Sequence, residues 1–264
     1  MMISRITHLF FLVTLFAVSA IAQPANQQNI NPNGYNKFYY DNGAVSSEGM
    51  MKNGKPEGYW KTYLPNGKLK SEGNRKSFLL DSIWKFYDEK GNRSAEINYK
   101  AGKKNGSKKT FDKDGKLITD EAYADDVKEG DTKTFYPSGK VKFSVPFKKG
   151  LEDGNAFEYN DDGTIITVMD YKVGFMRAQE KINRRDQNKL KQGKWKEFFD
   201  NGLPHYEFMF RDDTLNGYSK EFNKDGTLKT ITKYDHGKAL KDVPELSVLE
   251  LRDEYYADGR LKSQ

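Results

Sequence analysis

Gly58-Tyr59-Trp60-Lys61-Thr62-Tyr63, followed after a short turn by Leu69-Lys70-Ser71-Glu72-Gly73, is the stretch of sequence that decides the fold of this chain. Aromatic and β-branched residues favour strands, and the Asn66-Gly67 pair between the two segments is typical of a hairpin turn. Because side chains alternate along a strand, this hairpin predicts that Tyr63 pairs with Leu69 and Lys61 with Ser71. The stretch therefore predicts one antiparallel β-hairpin.

The same hairpin recurs with a fixed period. Glycine stands at 24-residue intervals at Gly43, Gly67, Gly91, Gly115, Gly139 and Gly163, and again at Gly202 and Gly226. A constant period of this size is the signature of a repeat architecture. We therefore predict an all-β fold, an elongated meander of about eight to nine antiparallel β-hairpin repeats.

Aligned repeats predict which residues share a face. The position of Tyr63 is aromatic in every unit, and the position of Leu69 is mostly aliphatic. A third position, at the end of the return strand, is mostly aromatic. The residues at this third position are Met51, Arg75, Tyr99, Tyr123, Phe147, Tyr171, Phe210 and Tyr234. We expect these three columns on one face, forming a continuous buried stripe. The opposite face carries Trp60, Trp84 and Trp195 with Glu72, Glu96, Asp120 and Glu207, and is predicted to be mostly solvated.

Two rows of lysine are candidates for a binding surface. One contains Lys61, Lys85, Lys109, Lys133, Lys196 and Lys220; the other contains Lys52, Lys76, Lys100, Lys148, Lys172 and Arg211. Such rows could engage anionic lipid, polysaccharide or an acidic protein, or could simply keep the sheet soluble, which we favour. The candidate surface comprises the first row with Trp60, Trp84 and Trp195.

Composition and the termini limit the possible classes of protein. The chain has 264 residues, a formal net charge of +6, 14% aromatic residues and no cysteine, which excludes disulfides and thiolate chemistry. Residues 1–22 have the charge, apolar run and Ala20-Ile21-Ala22 site of a secretory signal peptide. We expect an exported protein, periplasmic or secreted and not transmembrane, cleaved between Ala22 and Gln23.

The periodicity also predicts domain boundaries. Residues 23–33 are expected to form a disordered leader, 34–174 a regular array, 175–192 a polar insert loop, and 193–264 further repeats with an irregular C-terminal cap. The insert is placed there because Gly174 and Gly193 are 19 residues apart, where the corresponding Gly54 and Gly58 are four apart.

The spacing resembles that of a known family. The segments Gly54–Gly73 and Gln192–Leu203 are similar to the G-x-x-x-G-x-W-x-x-Y…N-G-x-L-x-x-E pattern of the MORN-repeat variant family, and the likeness extends over residues 34 to about 237. The resemblance implies a meander of hairpins with no general catalytic residues. Relatives include YwqK-like antitoxin-type proteins, and MORN repeats are linked with protein or membrane attachment.

Catalysis has weak support in the sequence. His205 and His236 lie in different repeats, and the carboxylate pairs Asp125-Asp126, Asp161-Asp162 and Asp212-Asp213 stand where turns are expected. We predict no enzyme activity, cofactor, metal site or nucleic-acid binding. The favoured function is a scaffold for protein–protein interaction; binding of anionic membrane or cell-wall polysaccharide and an antitoxin-like role are the alternatives.

Overall fold

The computed structural model describes residues 29–241, 243, 254–255 and 261–263. All regular elements in this part of the chain are strands. They are β1 (Tyr35–Tyr39), β2 (Val45–Lys52), β3 (Lys55–Tyr63), β4 (Leu69–Lys76), β5 (Leu79–Tyr87), β6 (Arg93–Lys100), β7 (Lys103–Phe111), β8 (Leu117–Ala124), β9 (Val127–Phe135), β10 (Val141–Lys148), β11 (Leu151–Glu152), β12 (Gly154–Tyr159), β13 (Ile165–Lys172), β14 (Phe175–Lys181), β15 (Arg184–Arg185), β16 (Lys191–Phe198), β17 (Pro204–Arg211), β18 (Thr214–Leu215), β19 (Gly217–Phe222), β20 (Leu228–Asp235), β21 (Lys238–Ala239), β22 (Glu254–Tyr255) and β23 (Leu261–Ser263).

The strands form an antiparallel meander, as predicted. β1 to β14 make one 14-stranded sheet in chain order, and β15 to β21 make a 7-stranded second sheet; β22 and β23 pair separately. The predicted signal peptide and most of the C-terminal cap lie outside the described residues. No helix with the length and apolarity of a membrane span occurs within the described ranges.

Each repeat begins with a hairpin whose turn is as expected but whose register is not. The Leu64 N–H donates to the carbonyl of Lys68, and Tyr63 pairs with Leu69. Lys70 is then an extra residue, so Lys61 pairs with Glu72 rather than with Ser71. A single bulged residue reverses the side-chain alternation beyond it. The predicted faces are therefore wrong: Glu72 lies on the Tyr63 face and Arg75 on the Trp60 face.

A second irregularity separates neighbouring repeats. Gly49 pairs with Trp60 and Met50 with Glu57, so Gly58 and Tyr59 have no partner on β2, although both pair with β4. Gly58 has a φ of 68°, a left-handed conformation that favours glycine. The same two-residue bulge opens β5, β7 and β9 on the side that faces the preceding repeat.

The first sheet connects to the second through a strand that changes sheets. The Ile182 N–H donates to Ile166 of the first sheet at 3.0 Å, and the Asn183 N–H donates to Lys194 of the second at 2.9 Å. Ile182 is fully buried at this corner. The predicted polar insert loop at 175–192 is therefore incorrect, since this segment contains β14 and β15.

Candidate binding surfaces

The tryptophans of the first sheet close the gaps that the bulges leave. The Trp60 indole N–H donates to the carbonyl of Met50 at 2.8 Å, and the Trp84 indole N–H donates to that of Asn74 at 2.8 Å. Trp60 is 5% exposed and Trp84 is 3% exposed. The prediction of a solvated tryptophan face is wrong here, because these side chains satisfy backbone carbonyls and form the thin core.

Glycine makes room for each of these two indoles. A Cβ atom at Gly49 would lie 2.5 Å from the Trp60 ring, and one at Gly73 would lie 2.5 Å from the Trp84 ring. In the next repeat Lys108 replaces tryptophan, and Ile97 replaces the glycine opposite it. The pair of residues, rather than tryptophan alone, therefore defines the packing of a repeat against its predecessor.

Trp195 has different surroundings from Trp60 and Trp84. Its indole N–H is buried and has no acceptor within the described residues. Arg185 and Lys191 lie over its ring, 5.2 and 4.7 Å from the centroid. Within the described ranges, a full preceding strand does not pair with this part of β16. The side-chain amide of Asn183 takes its place: it accepts the Lys196 N–H at 2.7 Å and donates to the Lys196 carbonyl at 3.0 Å.

The first predicted lysine row is not a free basic surface. The register places its lysines on the opposite face from the tryptophans, directly across from carboxylates. The row of opposed residues runs Lys37, Glu48, Lys61, Glu72, Lys85, Glu96, Lys109, Asp120 and Lys133 through the first sheet, and Lys196, Glu207 and Lys220 in the second. We call this row the charge ladder. Its alternating signs stabilise strand pairing and cancel most of its net charge.

Tyrosines from the Tyr63 column bond the carboxylates of the charge ladder. The Tyr63 hydroxyl donates to Glu48 at 2.5 Å, and the Tyr87 hydroxyl donates to Glu72 at 2.7 Å. Burial and the bond to Glu72 raise the pKa of Tyr87 to about 12. Burial acts to raise the pKa of Glu72, but hydrogen bonds from Tyr87 and Tyr59 outweigh it and lower that pKa.

The charge ladder is interrupted where the second sheet lies over the first. Ser144, Phe157 and Val168 take the successive ladder positions after Lys133. Phe157 contacts Phe198 of the second sheet edge-on, with ring centroids 5.1 Å apart. The Asn155 side chain also donates to the carbonyl of Gly202 at 3.2 Å. Loss of charge in this row therefore coincides with contact between the sheets.

The second predicted lysine row is exposed at the edge formed by the two-residue turns. Lys52, Lys76, Lys100 and Lys148 make no ion pair among the described residues, whereas Lys172 pairs with Asp153 at 3.1 Å. Beside them lie exposed apolar side chains, which we call the turn-edge patch: Val127 (44%), Leu151 (45%), Val173 (52%) and Phe175 (77%). The sequence showed the lysine row but not the apolar patch, which the two-residue turns bring to the same edge.

The residues considered for catalysis have structural roles. His205 stacks between Phe199 and Tyr206, with ring centroids 4.1 and 3.9 Å away. The carboxylates of Asp126 and Asp213 accept backbone N–H groups of Lys104 and Lys191 at 2.9 and 2.7 Å. Their pairs stand at positive φ in two-residue turns. Within the described part of the chain, no three acidic or histidine side chains are grouped as a metal site.

Comparison with known families agrees with the observed repeats. The family described as MORN repeat variant matches residues 32–53, 56–77, 80–101 and 128–149. Residues 56–77 contain all of β3 except its first residue, together with its hairpin turn and β4. No curated protein shows significant similarity to the chain. Within residues 32–149, this chain therefore carries four repeats of the MORN repeat variant family.

Proposed function

We propose that this protein is an exported, non-catalytic β-repeat scaffold that binds another protein. Repeat proteins of this kind present a long surface rather than an enclosed catalytic pocket. The turn-edge patch is the observation that carries the proposal, because soluble proteins rarely leave neighbouring large apolar side chains this exposed. Phe175, at 77% exposure, is its most prominent member. An antitoxin-like role would be one case of this function, with a toxin as the partner.

Affinity capture with the chain from Gln23 onward tests the proposal. The bait should retain one or more proteins from the periplasmic or extracellular fraction, and Phe175→Asp combined with Leu151→Asp should release them. Ile118→Asp is a matched control, since Ile118 is also exposed (43%) but lies on β8, outside the patch. Equal capture by all three baits would contradict binding at the patch. Sequencing the N-terminus of the mature protein tests export.

The unpaired lysines of the turn edge favour a second candidate, binding to an anionic membrane or cell-wall polymer. Four exposed lysines make no ion pair among the described residues and create a positive strip along the turn edge. Vesicles containing anionic lipid should then retain the protein at low ionic strength and release it as salt rises past roughly 0.15 M, where the Debye length is about 8 Å. Neutral vesicles provide the control, and changing Lys52, Lys76, Lys100 and Lys148 to glutamine should abolish retention.

A further inference from the structure

The contact between the two sheets leaves an open cleft of about 690 Å³. One wall is the charge-ladder face of β9 to β13, and the other is the hairpin loop at residues 199–203. Four aromatic side chains line it, two from each sheet: Phe157, Tyr159, Phe198 and Phe199.

Polar groups without partners face the same cleft. Lys133 forms no ion pair among the described residues, and Ser144 occupies the ladder position where an acidic residue would stand. Ser144 is 8% exposed, and its hydroxyl makes no hydrogen bond within the described ranges. The exposed carboxylates of Asp131 and Asp200 also line the cleft and have no hydrogen-bond partner among the described residues. By contrast, Asp153 is held by Lys172 and Asn201 by Lys224.

Packing between the sheets explains only part of this arrangement. Phe157 replaces a lysine and contacts Phe198, as an interface requires. Ser144, by contrast, is small and polar and adds little apolar contact between the sheets. It also leaves Lys133 with one acidic neighbour in the charge ladder, Asp120, instead of two. Because these groups border an open cleft and have no partner among the described residues, they are free to form hydrogen bonds with a ligand bound there.

The chemistry of the lining selects one class of ligand. An anion would meet Asp131 and Asp200, and a cation would meet Lys133, so neither simple ion is favoured. A ligand with hydroxyl groups can donate to the carboxylates and accept from the ammonium and serine groups, while its C–H face lies on the aromatic rings. We infer that this cleft is a binding site for a neutral saccharide, with Lys133, Asp131 and Ser144 as its polar contacts.

Titration calorimetry of the full chain with cellobiose, maltose and chitobiose tests the inference. We expect saturable binding of at least one of these probes. Lys133→Met and Asp131→Asn should each weaken it about tenfold, the loss expected for a hydrogen bond to a charged group. Lys109→Met is the matched control, because Lys109 holds the same ladder position one repeat earlier and lies 3.9 Å from Asp120, away from the cleft. The Lys109→Met variant should bind the saccharide with the same affinity as the wild type.

The outcomes separate this inference from the proposed protein-binding function. Absence of saturable binding for all three saccharides would overturn it, as would equal binding by the wild type and both cleft variants. Circular dichroism establishes that each variant is folded, and the two cleft variants provide independent tests if one is not. Protein capture depends on Phe175 and Leu151, which do not line the cleft, so either result can fail while the other holds.

Discussion

Trp60 and Trp195 stand at the same position of their repeats, yet their surroundings differ. Trp60 has Gly49 beneath its ring and donates its N–H to Met50 of the preceding repeat. Trp195 follows the change of sheets and has the Asn183 amide in place of a full strand. Its buried N–H has no acceptor among the described residues. The comparison teaches that a repeat's sequence specifies its own hairpin, whereas the role of its tryptophan depends on the repeat before it.

Filling the space under an indole should have the largest effect. Gly73→Ile places side-chain atoms where the Trp84 ring lies, so we expect a loss of about 3 kcal/mol in the free energy of unfolding, measured by urea denaturation. The double variant Gly73→Ile with Trp84→Lys copies the natural pair Ile97 and Lys108 and should recover most of that loss. A double variant as unstable as the sum of the two single changes would contradict this pairing.

Removing an indole N–H should distinguish the two kinds of tryptophan. Trp60→Phe leaves the Met50 carbonyl without its donor and should cost about 2 kcal/mol of unfolding free energy. Trp195→Phe removes a buried donor that has no acceptor in the described part of the chain, so it should leave stability unchanged or increase it. Similar losses in the two variants would show that the indole hydrogen bond is not what separates them.

Reversing a charge in the ladder should have a smaller effect. Lys85→Glu would stand between Glu72 and Glu96, whereas Lys133→Glu would have only Asp120 on one side and Ser144 on the other. We expect a loss of about 1 kcal/mol for the first and about half of that for the second, both reduced by salt. Equal losses, or no dependence on salt, would argue against alternating charge as a source of stability.

The smallest predicted effect is a change in alkaline stability. The pKa of Tyr87 is raised in the folded state to about 12, from an ordinary value of 10.0. Its contribution is therefore complete below pH 10 and is lost as pH rises through about 12. The urea midpoint of Tyr87→Phe should therefore fall less steeply over this pH range than that of the wild type. Tyr136→Phe is the control, since its hydroxyl donates to a backbone carbonyl, and an equal change in both variants would contradict the assignment.

The sequence predicted the hairpins well because each is a local feature. The turn at Asn66-Gly67 and the pairing of Tyr63 with Leu69 follow from neighbouring residues. The faces could not be predicted in the same way, since one extra residue at Lys70 inverts them and nothing in its side chain marks a bulge. Nothing at Gly58 predicted that its strand would separate from the preceding repeat, although its positive φ is where that separation begins.

The candidate surfaces depended on that register. The columns of lysine and glutamate were both visible, but their alternation as a charge ladder appears only when Lys61 is paired with Glu72. The contact of Phe157 with Phe198 joins residues from different sheets, and no period in the sequence relates them. Replacement of ladder residues by Ser144, Phe157 and Val168 was a signal of that contact once the ladder was known.

The most direct test of this account is the ¹H–¹⁵N spectrum of the three indole N–H groups, assigned by single Trp→Phe changes. Trp60 and Trp84 donate to carbonyls at 2.8 Å, so their resonances should lie downfield and depend weakly on temperature. The Trp195 resonance should lie upfield of both, since its N–H is buried and no residue that the structure describes accepts it. Three indole signals with the same shift and temperature dependence would contradict the distinction between the first repeats and the repeat that follows the change of sheets.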